Sequence, residues 1–426
     1  MEDHILIRYG ELSLKKTNRR QFVQKVTNSI KRALKDFEAL EYESRGMRFY
    51  IHLHNTPSTD VIKVLQRIPG LYSFSVVERA NSNIDDICVS AKSLVENELK
   101  EGKKTFKVET NRADKNFLMT SLEISKEVAR YLFKNIPNLQ ADVHNPDFTL
   151  DLDVRVEGAF LFTKTYMGMG GLPAGSLGRA TLMISGGIDS VVAGYLTIKK
   201  GVSIDAIHYA SPPYTSDMAL QKVIDLLEII APYTEYQSIN LYVVPFTKLQ
   251  SAIYEHVRED YGITIMRRMM YRIGERITNE RGNLAIVNGE NIGQVASQTL
   301  ESMNTINSVV KIPVIRPLAT FDKSEITDIA VKIGTYETSI KPYEDCCTVF
   351  VPKHPQIKPM IKIAEREEQK FDYESLIDEA CTNVERIVIK ANRHYDYINK
   401  KLSVDEKLAE LIWHYLPNKK CLNLQI

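Results

Sequence analysis

Apolar positions along the chain follow one rhythm in its first third and another after about residue 180. Residues 4–8 read as a first strand. From Asn18 to Lys35 the apolar residues Phe22, Val26, Ile30 and Leu34 recur every fourth position, which predicts an amphipathic helix. Residues 47–53 predict a second strand, and Asp60 to Leu65 opens a second helix. Residues 84–100 read as helix, Thr105–Glu109 as strand and Glu123–Phe133 as helix. Phe148–Phe162 reads as a hairpin turning at Glu157-Gly158. The pattern predicts two small α+β domains, over residues 1–60 and 61–165. A glycine-rich stretch at 168–178 then predicts a linker over 166–179.

Beyond it strands and helices alternate. Strand Thr181–Ile184 leads through a loop to a helix at Ser190–Lys200. Strand Ser203–Tyr209 is followed by a helix near Asp217–Ala231. Strand Asn240–Pro245, helices Leu249–Arg258 and Met266–Asn279, and strand Asn283–Asn288 complete the series. This order predicts an α/β class domain over 180–426, with a parallel sheet covered by helices on both faces. Ligands of such sheets sit at the carboxyl ends of the strands. Residues 386–426 read as a charged, helical C-terminal extension.

Composition narrows the class without naming a partner. The chain has 426 residues, 44% apolar and 26% charged, which suits an ordered globular protein of two to four domains. Lys and Arg total 55 against 54 Asp and Glu, so only a local patch can argue for nucleic acid. One such patch exists. From Arg8 to Lys35 there are nine basic residues (Arg8, Lys15, Lys16, Arg19, Arg20, Lys25, Lys31, Arg32, Lys35) against Glu11 alone. No window approaches 18 uncharged apolar residues, so no membrane span is expected. The acidic start is not that of a secretory signal. The five cysteines, Cys88, Cys346, Cys347, Cys381 and Cys421, show no C-x-x-C spacing. They suit neither a disulfide framework nor structural zinc, and fit a reducing cytoplasm.

Ser185-Gly186-Gly187-Ile188-Asp189-Ser190 follows a predicted strand and opens a predicted helix. Two glycines let the backbone approach an anion, and the helix N-terminus adds positive potential. Ser190 can cap that helix, and Asp189 can hold Mg²⁺ on bound phosphates. The plain alternative is a Gly-Gly turn of no chemical role. The loop is not a Walker A motif, because no Gly-Lys-Ser/Thr follows.

The hexapeptide resembles the pyrophosphate loop of the PP-loop ATP pyrophosphatases, which cleave ATP to AMP and pyrophosphate while adenylating a substrate. Other segments are similar to one branch of that superfamily, the tRNA 4-thiouridine synthetases (tRNA sulfurtransferases). They are Gly170-Gly171-Leu172-Pro173, Ser211-Pro212-Pro213-Tyr214-Thr215-Ser216, Asn288-Gly289-Glu290 and Gly293-Gln294-Val295-Ala296-Ser297-Gln298-Thr299. Arg316-Pro317-Leu318, Asp322-Lys323, Glu344-Asp345-Cys346-Cys347 and, near the start, Arg8-Tyr9-Gly10-Glu11-Leu12 with Asn18-Arg19 belong to the same set. The resemblance runs over about residues 4–385. It implies a ferredoxin-like domain, a THUMP RNA-binding domain and a PP-loop domain. It also implies the reaction: ATP adenylates O4 of a uridine near position 8 of tRNA, and persulfide sulfur displaces AMP to give 4-thiouridine.

By the same resemblance, ATP contacts fall on Met183, Ile184, Ser185, Gly186, Gly187, Asp189, Ser190, His208, Tyr209, Arg267, Gly289 and Gln298. Arg268 stands next to Arg267 and leaves that choice open. Tyr209 replaces an expected Phe, and Asn288 an expected Thr. Asp189 and Lys323 fall on catalytic positions, and the sulfurtransferase cysteine falls on Cys346 or Cys347. A disulfide partner is one of that pair, Cys381 or Cys421. Lys15, Lys16, Arg19 and Arg20 are the expected RNA contacts; a solvated helix face is the plain alternative. The implied partners are tRNA, a cysteine desulfurase as persulfide donor, a small sulfur-carrier protein in thiamine thiazole synthesis, and a second copy of the chain. Too few residues follow the match for the C-terminal rhodanese domain of many relatives, so sulfur is expected to arrive directly from a cysteine desulfurase or from another donor. Three other readings remain: another PP-loop ligase, an inactive RNA-binding module, and a methyltransferase suggested by Ser211-Pro212-Pro213-Tyr214. The glycine loop is unlike a methyltransferase G-x-G turn.

Overall fold

The computed structural model describes residues 3–10, 18–45, 48–343, 352, 354–399 and 401–404. They form two compact units, Met1–Gly171 and Leu172–Ile426.

The first unit runs β1 (Asp3–Arg8), α1 (Arg19–Ala33), β2 (Glu41–Arg45), β3 (Arg48–His52), α2 (Ser58–Leu65) and β4 (Ser73–Ala80). It continues with α3 (Ile84–Lys100), β5 (Thr105–Arg112), α4 (Ser121–Asn135), β6 (Gln140–Ala141), β7 (Phe148–Arg155), β8 (Gly158–Phe162) and β9 (Tyr166–Met167). The two expected α+β modules share one nine-stranded sheet, ordered β2-β3-β1-β4-β8-β7-β5-β6, with β9 on β4. Strand β4 is the seam, antiparallel to β1 on one side and to β8 on the other. The sequence pattern does not announce it. Most of its residues are buried whichever face they point to, so the alternation that marks a half-exposed strand is missing. The helices follow their apolar spacing: Val26 and Ile30 of α1 are buried, and α4 starts on a Thr120–Glu123 capping box.

The second unit runs β10 (Arg179–Met183), α5 (Ile188–Lys199), β11 (Ser203–Ala210), α6 (Asp217–Ile230), β12 (Ser238–Pro245), α7 (Thr247–His256), α8 (Gly262–Glu280) and β13 (Ile286–Val287). Then come α9 (Leu300–Asn307), β14 (Val314–Ile315), α10 (Lys323–Lys332), α11 (Tyr336–Ser339), α12 (Ile361–Glu368), α13 (Tyr373–Thr382), β15 (Glu385–Lys390), β16 (Arg393–Asp396) and β17 (Lys401–Val404). The sheet order is β14-β13-β10-β11-β12-β15. All neighbours are parallel except β15, which is antiparallel to β12. Six consecutive residues of β11 are buried, so both faces of the sheet are covered. The chain leaves β10 towards β11 on one side and returns to β13 on the other. The switch point therefore lies at the carboxyl end of β10, beside the glycine loop.

Residues of the 166–179 stretch bond within the unit they belong to: Gly170 donates to Leu71 O at 2.8 Å, while Leu172 and Leu177 donate to Lys199 O and Gly201 O at 3.0 Å. One expectation changes. Residues 386–426 are expected to be helical, yet 385–404 builds three strands. Ile387 and Ile389 are buried while Arg386, Val388 and Lys390 are exposed, a period of two that the charges obscure. Among the described residues no helix is long and apolar enough to cross a membrane.

Candidate active site

Strand β10 ends at Met183, and Ile184 N donates to Ile207 O at 2.9 Å. The loop then closes on one hydroxyl. Ser190 Oγ accepts from Ser185 N at 3.1 Å and donates to Ser185 O at 2.9 Å. Ser190 is therefore not the helix cap, as its position had suggested. The N-cap is Gly187, in extended backbone at φ −85° with no side-chain cap. Neither Gly186 nor Gly187 takes a left-handed φ. A Cβ on Gly187 would meet only Ser185 Oγ, at 3.5 Å. The turn itself does not need glycine at 187, and its absent side chain leaves room above the N-terminus of α5. Gly289, just after β13, is different. A Cβ there would stand 2.6 Å from Asp189 C and Ser190 N, so only glycine lets the end of β13 press against the start of α5.

Asp189 lies in the first turn of α5, where the helix dipole favours an anion. Lys323 Nζ, at the first residue of α10, donates to its Oδ1 at 2.6 Å, and Gln294 Nε2 donates to its Oδ2 at 3.1 Å. The two expected catalytic charges thus meet directly, across 134 residues of sequence.

A cavity of about 160 Å³ opens beside them. Met183, Ile184, Ser185, Asp189, Ser190, His208, Tyr209, Arg267, Gly289 and Gln298 line it, with Met270, Asn288 and Glu290. All but Gly186 and Gly187 of the expected ATP contacts are in this wall. His208 is buried, with Nδ1 3.1 Å from Ile184 O. Tyr209 is no bare substitute for Phe, because its hydroxyl donates to Met270 O at 2.5 Å. Asn288 likewise acts through its side chain, donating to Tyr271 Oη at 2.5 Å and Glu290 Oε2 at 3.0 Å.

Glu290 is the residue that sequence reasoning passed over. Only 2% exposed, it is ion-paired with Arg267 and with Arg316, whose Nε donates to Oε2 at 2.7 Å. Tyr271 adds a bond at 3.0 Å. Burial alone would raise its carboxyl. The charges of Arg267 and Arg316, with the bonds from Arg316 and Tyr271, outweigh that and hold it below the usual carboxylate range. A carboxylate straight after a buried strand was the available signal. Its partners come from α8 and from Arg316 just after β14, which local pattern does not bring together. Gln294 belongs to the Gly293–Thr299 motif, and sequence alone gives it no role of its own.

The Arg267–Arg268 ambiguity resolves by environment. Arg268, 1% exposed, gives both edges of its guanidinium to protein: Nε and Nη2 to Glu368 at 2.6 and 3.0 Å, Nη1 to Thr305 O at 2.6 Å and Ser308 Oγ at 2.8 Å. It is structural, and Arg267 faces the cavity. Arg19 and Arg20 are exposed in the first turn of α1, which carries no acidic residue. Cys381 is half-buried and burial pushes its thiol up to about 11, so it makes a poor thiolate. Cys346, Cys347, Cys421, Lys15 and Lys16 lie outside the described residues.

Comparison with known proteins follows the same segments. Residues 4–75 match the ThiI ferredoxin-like domain, 81–164 the THUMP domain, and 175–373 the thiamine biosynthesis protein (ThiI) family. A relative from Bacillus pumilus named "Probable tRNA sulfurtransferase" is 45% identical over 404 residues, 95% of this chain and 98% of that one. One of the same name from Listeria welshimeri is 44% identical over 409 residues, 96% of this chain and 99% of its own. A crystal structure of a 4-thiouridine synthetase–RNA complex with bound ATP superposes with a TM-score of 0.84. It is 38% identical and covers 92% of this chain and all of its own.

Proposed function

The chain belongs to the ThiI family of tRNA sulfurtransferases, and from that premise we propose that it uses ATP to convert a uridine near position 8 of tRNA to 4-thiouridine. One observation carries the reading furthest: Asp189, which lines the cavity beside the serine-tied glycine loop, is bonded directly by Lys323.

The chemistry follows from the groups present. The α5 N-terminus, with no side chain at its Gly187 cap, suits the phosphates that leave as pyrophosphate. In this reading Lys323 neutralises charge that builds on those phosphates as the uridine O4 attacks the α-phosphorus. Asp189 would hold Mg²⁺. Its donor set fits, since a hard carboxylate oxygen is bonded only to the neutral Gln294, which an ion can displace. When bound, the ion supplies further charge neutralisation. Arg267 and His208 bound the nucleotide from the α8 and β11 sides. Adenylation turns O4 into part of a good leaving group, AMP. The terminal sulfur of a persulfide on Cys346 or Cys347 then bonds to C4 and AMP departs; a second cysteine thiolate attacks the Sγ of the first, the S–S bond breaks, 4-thiouridine leaves with the terminal sulfur, and the two cysteines remain as a disulfide.

The donor in this reading is a cysteine desulfurase, the setting is the cytoplasm, and the chain acts as a homodimer. Arg19 and Arg20, with Lys15 and Lys16, contact tRNA phosphates. Cations at a helix N-terminus are unfavourable by a few tenths of a kcal/mol, up to about 1, so they suit a phosphate-binding role better than a stabilising one. A second reading, sulfur delivery to the thiamine thiazole through a small carrier protein, is favoured by the name of the matched family. Nucleoside mass spectrometry of tRNA after incubation with ATP, Mg²⁺, cysteine and a desulfurase tests the first. Thiouridine that depends on ATP and on Cys346 or Cys347 is expected. Pyrophosphate release without tRNA dependence would point to another PP-loop ligase.

A further inference from the structure

Asp189 is held by two donors of unequal stiffness. Lys323 Nζ reaches its Oδ1, at 2.6 Å, on a long and half-exposed stem. Gln294 Nε2 reaches its Oδ2, at 3.1 Å, from a loop tied down on either side. Gly293 turns that loop with a left-handed φ of 79°, and its N–H donates to Gln298 O at 2.8 Å. Just before the turn, Ile292 N donates to Ala319 O at 3.1 Å and Asn291 Nδ2 to Phe321 O at 2.5 Å. Those two carbonyls belong to the stretch that leads into Lys323. Both donors therefore come from one hydrogen-bonded block, and they meet opposite oxygens of a single carboxylate.

The side chain of Gln294 is exposed, so its amide has water to bond instead, and ordering it costs side-chain entropy. What the bond provides is alignment. A partly exposed ion pair such as Asp189–Lys323 is loosely held when it stands alone. A second donor on the far oxygen restricts the carboxylate to one rotamer, and so fixes where the ammonium of Lys323 sits. The donor is neutral and leaves the charge of the site unchanged. A carboxylate oxygen has a second lone pair, so Oδ2 can keep Gln294 and still take a further partner. Gln298, from the same loop, lines the cavity, whereas Gln294 stands outside that wall.

We propose that Gln294 is a positioning residue for the adenylation step, its amide fixing the Asp189 carboxylate and, through it, the ammonium of Lys323. The proposal rests on the reading of the site given above. Gln294 acts on turnover and not on nucleotide binding.

The test compares wild type, Gln294→Ala and Gln294→Glu in tRNA-dependent pyrophosphate release, ATP affinity by equilibrium dialysis and a thermal melt. Gln294→Ala should release pyrophosphate about ten-fold more slowly at saturating ATP, the scale of one hydrogen bond to a charged group, while binding ATP within about two-fold of wild type. Gln294→Glu keeps the length, loses the donor and sets a second carboxylate beside the first, so it should be at least as slow. Both should melt as wild type does. Added to Asp189→Ala, the Gln294→Ala change should slow the residual single-turnover rate by less than about two-fold, because a residue that acts through Asp189 then has nothing to align. Wild-type turnover in both variants, the same loss in the Asp189→Ala background, or a loss explained by weaker ATP binding or a lowered melting temperature overturns the proposal. A wild type that yields neither pyrophosphate nor thiouridine overturns the reading of the site as well. A fully active wild type with unchanged Gln294 variants removes the Gln294 inference alone.

Discussion

Each unit has a cavity lined by arginine and carboxylate, and one carboxylate in each, Glu290 and Asp151, meets opposite surroundings, although Asp153 beside Asp151 is paired with Arg48 and Arg155. In the second unit Glu290 touches Arg267 and Arg316 directly and is held below the usual carboxylate range. In the first, Arg8, Arg48, Glu109, Asn111, Asp151, Asp153 and Phe162 line about 210 Å³. There Arg8 is engaged by Ser75 Oγ at 2.9 Å and by the Phe162 ring, 4.5 Å from its centroid. Asp151 gains little from it. Burial first, and the neighbouring Glu109 second, push its carboxyl up to about 6. Residue types alone do not set a cavity's charge; what matters is which cation reaches which carboxylate. In the second unit Glu290 is locked to arginines, while the other cavity carboxylate, Asp189, is held beside the loop by Lys323 and Gln294.

The largest effect should come from breaking the Asp189–Lys323 contact. Asp189→Asn and Lys323→Met should each lower tRNA-dependent pyrophosphate release by about 100-fold or more, the scale of losing one preorganised electrostatic group. The melting temperature should move little, because the pair is partly solvent-exposed. A variant that melts as wild type and releases pyrophosphate at the wild-type rate would remove Asp189–Lys323 from the mechanism.

Next in size are the consecutive arginines of α8, which put the same contrast within one turn. Arg268→Met removes the partner of a buried carboxylate and should cost about 3 kcal/mol in chemical denaturation, at the lower end for such pairs because Arg272 still reaches Glu368 at 3.0 Å. Arg267→Met should weaken ATP binding about ten- to a hundred-fold, the value of a charge-assisted bond, and because it too removes one of two cations from a buried carboxylate, Glu290, it should also cost stability. Equal stability losses and unchanged ATP affinity would erase the distinction between structural and ligand-facing arginines.

Much of this was legible beforehand, and the gaps have one cause. Helix α3 spans Ile84–Lys100 as its pattern predicts, the hairpin turns at Glu157-Gly158, and the glycine loop sits at a strand end. These depend on neighbours within a few residues. Arg267 could be told from Arg268 only by seeing what α9 and α12 bring to the far side of α8. Strand β4 was hidden because both its faces are covered, and Glu290 because its cations lie 23 and 26 residues away. Burial that depends on distant partners leaves no local period to read.

Glu290→Gln probes the locked carboxylate by pH. Its folded pKa lies below the ordinary value of 4.5, so its stabilisation is fully present above 4.5 and is lost as pH falls through the lowered value. Wild type should exceed the Gln variant by about 1–3 kcal/mol at pH 7, the cost of leaving buried donors poorly matched. The gap should narrow below pH 4.5. A gap that persists unchanged into strong acid would mean that the carboxylate charge is not what holds Arg267 and Arg316.

Asp151→Asn is the mirror test and the smallest. Here the folded pKa, about 6, lies above the ordinary 3.8. The fold therefore favours the protonated form, and that contribution is full below 3.8 and lost as pH rises through 6. An amide imitates the protonated carboxyl at every pH. The variant should match wild type in melting experiments near pH 4 and exceed it at pH 7, by no more than about 1 kcal/mol once solvent screening of a half-exposed group is allowed for. The direction matters more than the size. If Asp151→Asn instead costs stability at pH 7, the ionised Asp151 is being held by Arg8 after all. The two carboxylates would then be held in the same way, and the contrast between them would be lost.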